Sequence, residues 1–497
     1  MEQEGFHARE RFPTYQYKAV ECHNPTTIDV DEALTIRRVF WCIFGLKFLV
    51  QINTTSLELP LLRLVEHTVC KAYLGTNLDE IDEDICKVPA VQDKVARIMG
   101  YKSTFDSLPC LLTAMIYGSL SSRHGRKLVV MLSLTGQFMS WMWIVLLGFF
   151  ANKLPVELIW LSSLLLFIGG GRSVEMSILY TSLCDAAAWN RRTSLLLFLH
   201  GCDGIAGLIG YPLGSVLMQY RLWAPFGLAG IAFALQCVFL WFMPETSPYI
   251  AARIAPPNPA LTPEQDLDSE ENELLHPGRI PSNKVKGLSC DQLTFETRTS
   301  DIRVFCEHPG LRIIFLMFFF KRIAFASERF AFQYASERLH KKIFQTFWMG
   351  AFVNAGTLLS NSVLLPLLTR TLNSPVKDVW VIHGSLIDLV AGVAILWRGC
   401  SLLLLGIGLF ICGLGEGLEV GLQSLGSYIV GEAKLATFFS FVSILSVAGE
   451  LLGGPIMAIS YAVRDKDKQP LGLCYLLSAV LFGCLLIIAY RIKTSQQ

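Results

Sequence analysis

Seven ionisable side chains lie inside long apolar runs of this 497-residue chain: Lys47, Arg172, Glu175, Lys321, Arg322, Glu416 and Glu419. Each costs about 2.5 to 3.5 kcal/mol to insert into hydrocarbon, so seven facing lipid would cost about 20 kcal/mol. They must face protein or water. Arg172 and Glu175 are three residues apart, as are Glu416 and Glu419, which puts each pair on one helix face where it can share one cavity. A mixed-sign lining suits a polar or charged organic solute. A carboxylate there can also take up and release a proton as its surroundings alternate between burial and a nearby cation. Structural salt bridges are the alternative reading. Asp203, Asp388 and Glu450 are further buried carboxylates for which packing against a helix end or an arginine is an equal alternative. Glu58, Glu328 and Arg329 fall near the expected outer ends of their spans, where they reach water.

The elements that position these groups follow from composition. Hydrophobic residues make up 52% of the chain and charged residues 17%, and the mean hydropathy is +0.46, a balance that excludes an ordinary soluble domain and fits many membrane spans of about 20 residues. A net charge of +1 gives no concentrated basic face for nucleic acid. No phosphate-cradling loop is present, Gly413-Leu414-Gly415-Glu416-Gly417 lies inside an apolar span without a preceding strand, and His124, His200 and His383 lack metal-ligand spacing. No enzyme, cofactor or metal site is indicated. Most of the fourteen cysteines lie in apolar runs and behave as small hydrophobes.

No cleavable signal peptide is visible before the first span, Val39 to Pro60, so residues 1–38 are expected as a cytoplasmic tail. A loop from Leu61 to Thr104 follows on the outer side. Its Cys70 and Cys86 either pair, closing a loop of about 16 residues for about 3 kcal/mol, or remain free thiols. Helix two runs to about Leu120, helix three from Leu128 to Phe150, helix four from Val156 to Leu179, helix five from Ser194, and helix six ends at Met243. The polar stretch 244–310 reads as a flexible cytoplasmic linker because it cannot bury enough apolar surface to fold alone. Six further spans begin near Leu311, Phe344, Val379, Ser401, Leu435 and Leu471, leaving 491–497 as a cytoplasmic tail. Arg123, Arg126, Lys127, Arg191 and Arg192 fall in loops placed inside by this count. Lys71, Lys87, Lys94 and Lys466 in outer loops weaken the bias.

A weak internal repeat divides the spans into halves, 39–243 and 311–490. Helix five holds Gly207, Gly210 and Pro212, and helix eleven, six spans later, holds Gly449, Gly453 and Pro455. Small residues let backbones approach, and such matched positions fit a duplicated transporter. The expected fold is an all-α polytopic membrane protein of about twelve helices in two pseudo-symmetric six-helix halves.

The loop Gly118, Leu120, Ser122, Arg123, Gly125, Arg126, Lys127 resembles the motif between helices two and three of the major facilitator superfamily. With PLLRLVEHTVCKAY, CKVPAVQ, MPET and FQYASERL, the chain from Pro60 to Pro455 is similar to a fungal branch near the proton-coupled folate transporter and thymic stromal cotransporter group. Ser122 stands where that motif expects an aspartate that would latch one state by pairing with a helix dipole or arginine. The resemblance implies a secondary transporter working by alternating access, with helices one, four, seven and ten lining the site. It also implies a small-molecule substrate, proton coupling, a lipid-embedded monomer and export of a secondary metabolite from the plasma membrane. Uptake of an organic anion, an internal membrane, or a non-transporting nutrient receptor are the alternatives.

Overall fold

In lipid every backbone N–H and C=O must find its partner within its own segment, so apolar runs of this length become helices. In the computed structural model, the described residues are 30–75, 82–150, 154–186, 189–246, 309–367, 376–430, 435–463 and 472–494. They form twelve helical rods and no strand. The rods are α1 Val30–Leu74, α2 Pro89–His124 and α3 Arg126–Phe149, then α4 in pieces Val156–Leu161, Ser162–Leu165 and Gly171–Ala186. Next come α5 Trp189–Tyr220, α6 Ala224–Phe242, and α7 in pieces Pro309–Phe325, Glu328–Phe330 and Ala331–Arg338. The last five are α8 Ile343–Leu367, α9 Val376–Arg398, α10 Leu402–Val430, α11 Leu435–Tyr461 and α12 Leu473–Thr494.

In the first half α1 packs against α5 and α6, and α3 against α4; in the second half α7 packs against α11 and α12, and α9 against α10. Adding six to each helix number converts one set into the other. The halves meet where α2 packs against α11 and α5 against α8, a pairing that obeys the same rule. The repeat glycines sit at these seams. A Cβ on Gly210 would lie 1.9 Å from Thr55 Oγ1 of α1, one on Gly449 2.4 Å from the Phe319 carbonyl of α7, and one on Gly453 2.8 Å from Ala326 Cβ. On the half-to-half seam, Gly207 faces Asn354 of α8. Pro212 and Pro455 lie inside α5 and α11 without ending them.

Eight rods, α3, α5, α6 and α8 to α12, are long and apolar enough to cross a bilayer. Of the other four, α1 and α2 are diluted by polar residues such as Gln51 and Lys102, which border the central cavity or bond to a residue that does, and α4 and α7 are broken into shorter pieces.

Two boundary expectations are corrected. The first span does not stop at Pro60: α1 runs through it to Leu74, and α2 starts at Pro89, so the expected loop of 61–104 shrinks to residues 75–88. Its charges read as loop but are satisfied by one another. Glu66 accepts from Arg63 at 2.8 Å, from Lys87 at 2.6 Å and from Gln92 at 2.6 Å, and Lys87 also meets Glu83 at 2.9 Å. A disulfide joins Cys70 to Cys86, with Cα atoms 5.4 Å apart. The expected turn over 118–127 is likewise nearly all helix. Gly118 and Leu120 belong to α2, and the chain reverses at Gly125 alone, whose φ of +106° an L side chain rarely adopts. The side chains of Ser122, Arg123, Arg191 and Arg192, the tail before residue 30 and the linker over 247–308 lie outside the described residues.

Candidate functional site

Between the halves lies a cavity of about 500 Å3 bordered by α1 (Thr54, Glu58), α2 (Lys102, Asp106), α3 (Gln137, Trp141), α4 (Arg172), α7 (Arg329, Phe330, Phe332) and α11 (Glu450). A second cavity of about 280 Å3, bordered by Glu58, Tyr211, Arg322, Glu328, Arg329, Glu416 and Glu450, abuts it, because Glu58, Ala326, Arg329, Phe332 and Glu450 border both. Side chains of both halves therefore face one polar chamber.

At one end the chamber is roofed. Gln333 of α7 donates to the Gln92 carbonyl at 2.8 Å and to its side chain at 3.0 Å, and the Ile343 amide donates to Glu83 Oε1 at 2.5 Å. Ser215 of α5 reaches the Phe344 carbonyl at 2.7 Å. The disulfide and the Arg63, Glu66, Glu83, Lys87 network hold the first-half side of this roof.

The seven charges expected to face protein or water are divided in the structure. Arg172, Arg322 and Glu416 border the chamber. Arg172 donates to Thr54 Oγ1 at 2.9 Å and to Gln51 Oε1. Glu175 borders neither cavity: it is fully buried and accepts from Gln137 Nε2 at 2.6 Å, with Oε1 unpartnered among the described residues. Lys321 lies buried behind the wall, 2.9 Å from Glu419 and 3.7 Å from Glu416, and Arg322 adds a contact to Glu419 at 3.1 Å. α10 turns at Gly415 and Glu416, which brings both carboxylates to these two cations.

Lys47 is the clear exception. It borders neither cavity, is 2% exposed, and is fixed by Asp203 at 2.9 Å, the Tyr180 hydroxyl at 2.7 Å and the Leu199 carbonyl at 2.8 Å. Asp203, the carboxylate partner of Lys47, is about a third exposed. Asp388, half-buried on α9, borders neither cavity. Glu450 pairs with Arg329 and borders both.

Five residues of the chamber were missed or misplaced by sequence. Glu58, Glu328 and Arg329 were expected at outer ends reaching water, but α1 continues past Pro60 and α7 past its turn at Ala326, so they lie mid-rod on the chamber. Glu58 accepts from the Tyr211 hydroxyl at 2.5 Å. Lys102, 2.5 Å from Asp106, fell in the stretch read as loop, although their spacing of four is helical. Asp106 also accepts from Ser163 at 2.5 Å.

At the other end, Glu245 of the MPET segment accepts from the amides of Arg126 at 2.8 Å and Lys127 at 3.2 Å, capping α3. A carboxylate thus meets a helix start near the loop motif, supplied from the end of α6. Arg126 Nη1 donates to Ser121 at 2.8 Å, and Lys127 to the Trp241 carbonyl at 2.9 Å.

The sequence profile of the Major Facilitator Superfamily matches residues 96–454. The chain belongs to the major facilitator superfamily. This facilitator is 29% identical over 460 residues to the MFS transporter SAT21 of Stachybotrys chartarum, covering 90% of this chain and 95% of that protein. It is 28% identical to the MFS efflux pump atnC of Emericella nidulans, covering 90% and 86%. The xylose transporter XylE from E. coli, in a partially occluded inward-open conformation, shares the fold with a TM-score of 0.58 at 12% identity, covering 92% of this facilitator and 98% of that chain. This facilitator is a multi-pass membrane transporter rather than an enzyme.

Proposed function

We propose that this facilitator exports a small organic solute from the cytosol across the plasma membrane by alternating access, in exchange for protons, as a monomer. The observation that carries this reading is the chamber between the halves, lined by ionisable groups from both. The efflux activity in the name of atnC supports the direction. The α2–α3 connection lies in the cytosol on this reading, the stretch 244–310 links the halves there, and the Cys70–Cys86 roof faces outward. The roof contacts between halves then describe a state closed to the outside.

Glu58 is the proton carrier we favour. Asp106 and Glu450 meet cations, Glu416 lies 3.7 Å from Lys321 and Glu328 borders only the smaller cavity, whereas Glu58 borders both and is held by a hydroxyl. A carboxylate without a cation partner gains most from protonation when water leaves the site.

Screening secreted metabolites in a deletion strain supplies the substrate, and flux is then measured in proteoliposomes under an imposed pH gradient. Substrate movement should follow the gradient and collapse when it is dissipated. Glu58→Gln should reduce gradient-driven flux at least tenfold while leaving substrate exchange at equal pH intact. Flux indifferent to the gradient would remove the proton coupling, and binding without flux would remove the carrier.

A further inference from the structure

We infer that this facilitator reads a negative charge on its cargo and that Arg172, at the break in α4, reads it; the inference rests on the carrier reading above. The lining charges of the larger cavity cancel in pairs, with two exceptions. Lys102 meets Asp106 at 2.5 Å and Arg329 meets Glu450. Arg172 is held by the neutral oxygens of Gln51 and Thr54, and among the described residues it forms no ion pair. Thr54 donates its own hydrogen bond to the Val50 carbonyl at 2.9 Å, so its oxygen is set to accept. A guanidinium has five N–H donors, and these two partners leave donors over for a ligand. Glu175, one turn along α4, is bonded to Gln137 instead.

The backbone points to the same charge. Gly169, Gly170 and Gly171 have φ of +86°, +77° and +72°, which interrupts α4 and starts the 16-residue segment Gly171–Ala186 at the cavity wall. The first four N–H groups of a helix lack intrahelical acceptors and carry partial positive charge, a setting that favours anions. Gly170, Arg172 and Ser173 all border the cavity there. Trp141, Phe330 and Phe332 supply flat apolar surface on other walls. The cargo class is an organic anion, such as a carboxylate, on a planar apolar body. Glu58, the second exception, is the feature that would instead favour an amine.

Three matched probes separate these outcomes: 1-naphthylacetate, its neutral amide and 1-naphthylmethylamine, each measured by equilibrium binding to the full-length protein in nanodiscs. The anion should bind at least tenfold more tightly than the amide and more tightly than the amine. Arg172→Gln should erase that advantage while the amide affinity stays within twofold, and Arg172→Lys should keep part of it. Equal binding of the three, tightest binding of the amine, binding of none, or an unchanged ranking in Arg172→Gln overturns the inference. The wild-type ranking needs no variant, so it stands even if a variant does not fold. Charge-dependent binding without gradient-driven flux would sink the carrier reading and leave this one; preferred flux of the neutral probe would do the reverse.

Discussion

At the scale of single residues, buried charge divides into two kinds. Lys47 and Asp203 are fixed to each other and to neighbouring oxygens away from the chamber, whereas Arg172 is presented to it. Removing one partner of a buried pair leaves the other charge stranded, so Lys47→Met should destabilise the fold by about 3 kcal/mol, the lower end for such pairs because Asp203 is about a third exposed. Lys47→Met combined with Asp203→Asn should recover most of that loss. Thermal unfolding in detergent reads both; full stability of the single variant would show the pair to be dispensable. Charge within a span was readable from sequence, because hydrocarbon makes any such residue conspicuous. Which charges face water was not, since Arg172 and Lys47 look alike in a string and differ only in what α5 and the Gly169–Gly171 break place beside them.

At the scale of helices, the backbone contacts set what can change. A Cβ on Gly214 would lie 2.0 Å from the Ser56 carbonyl of α1, and backbone cannot step aside as a flexible side chain can. Gly214→Ala should cost about 1 to 3 kcal/mol through overpacking. Gly118, inside α2 with nothing within 4 Å, should accept alanine with a gain of up to about 1 kcal/mol from helix propensity. Thermal unfolding of the two variants side by side checks the contrast, and a loss in the second would mean that its face is covered in solution. Span number and the repeat were visible in sequence because apolar length and glycine spacing are local signals. The ends of α1 and α2 were not: Arg63, Glu66, Lys87 and Gln92 resemble loop residues until each is seen to satisfy another.

For the whole molecule, the roof decides which side the chamber serves. Gln92 and Gln333 come from opposite halves and touch directly, so a Gln92→Cys, Gln333→Cys pair should cross-link on oxidation. Flux should fall more than tenfold when the link forms, while each single cysteine variant keeps its activity under the same oxidant. Undiminished flux through cross-linked protein would mean that the roof never parts during the cycle. On the proposed alternating-access reading the seams that must shift are those of α2 with α11 and α5 with α8, where the halves meet.

Cys70 and Cys86 both precede the second half in the chain, in α1 and the short turn before α2. Their bond can therefore close before the ribosome has made any of the second half. The later helices would then arrive at a finished docking feature, with Glu83 already held where the Ile343 amide must land. The placement of two thiols thus permits an order of assembly as well as an end state.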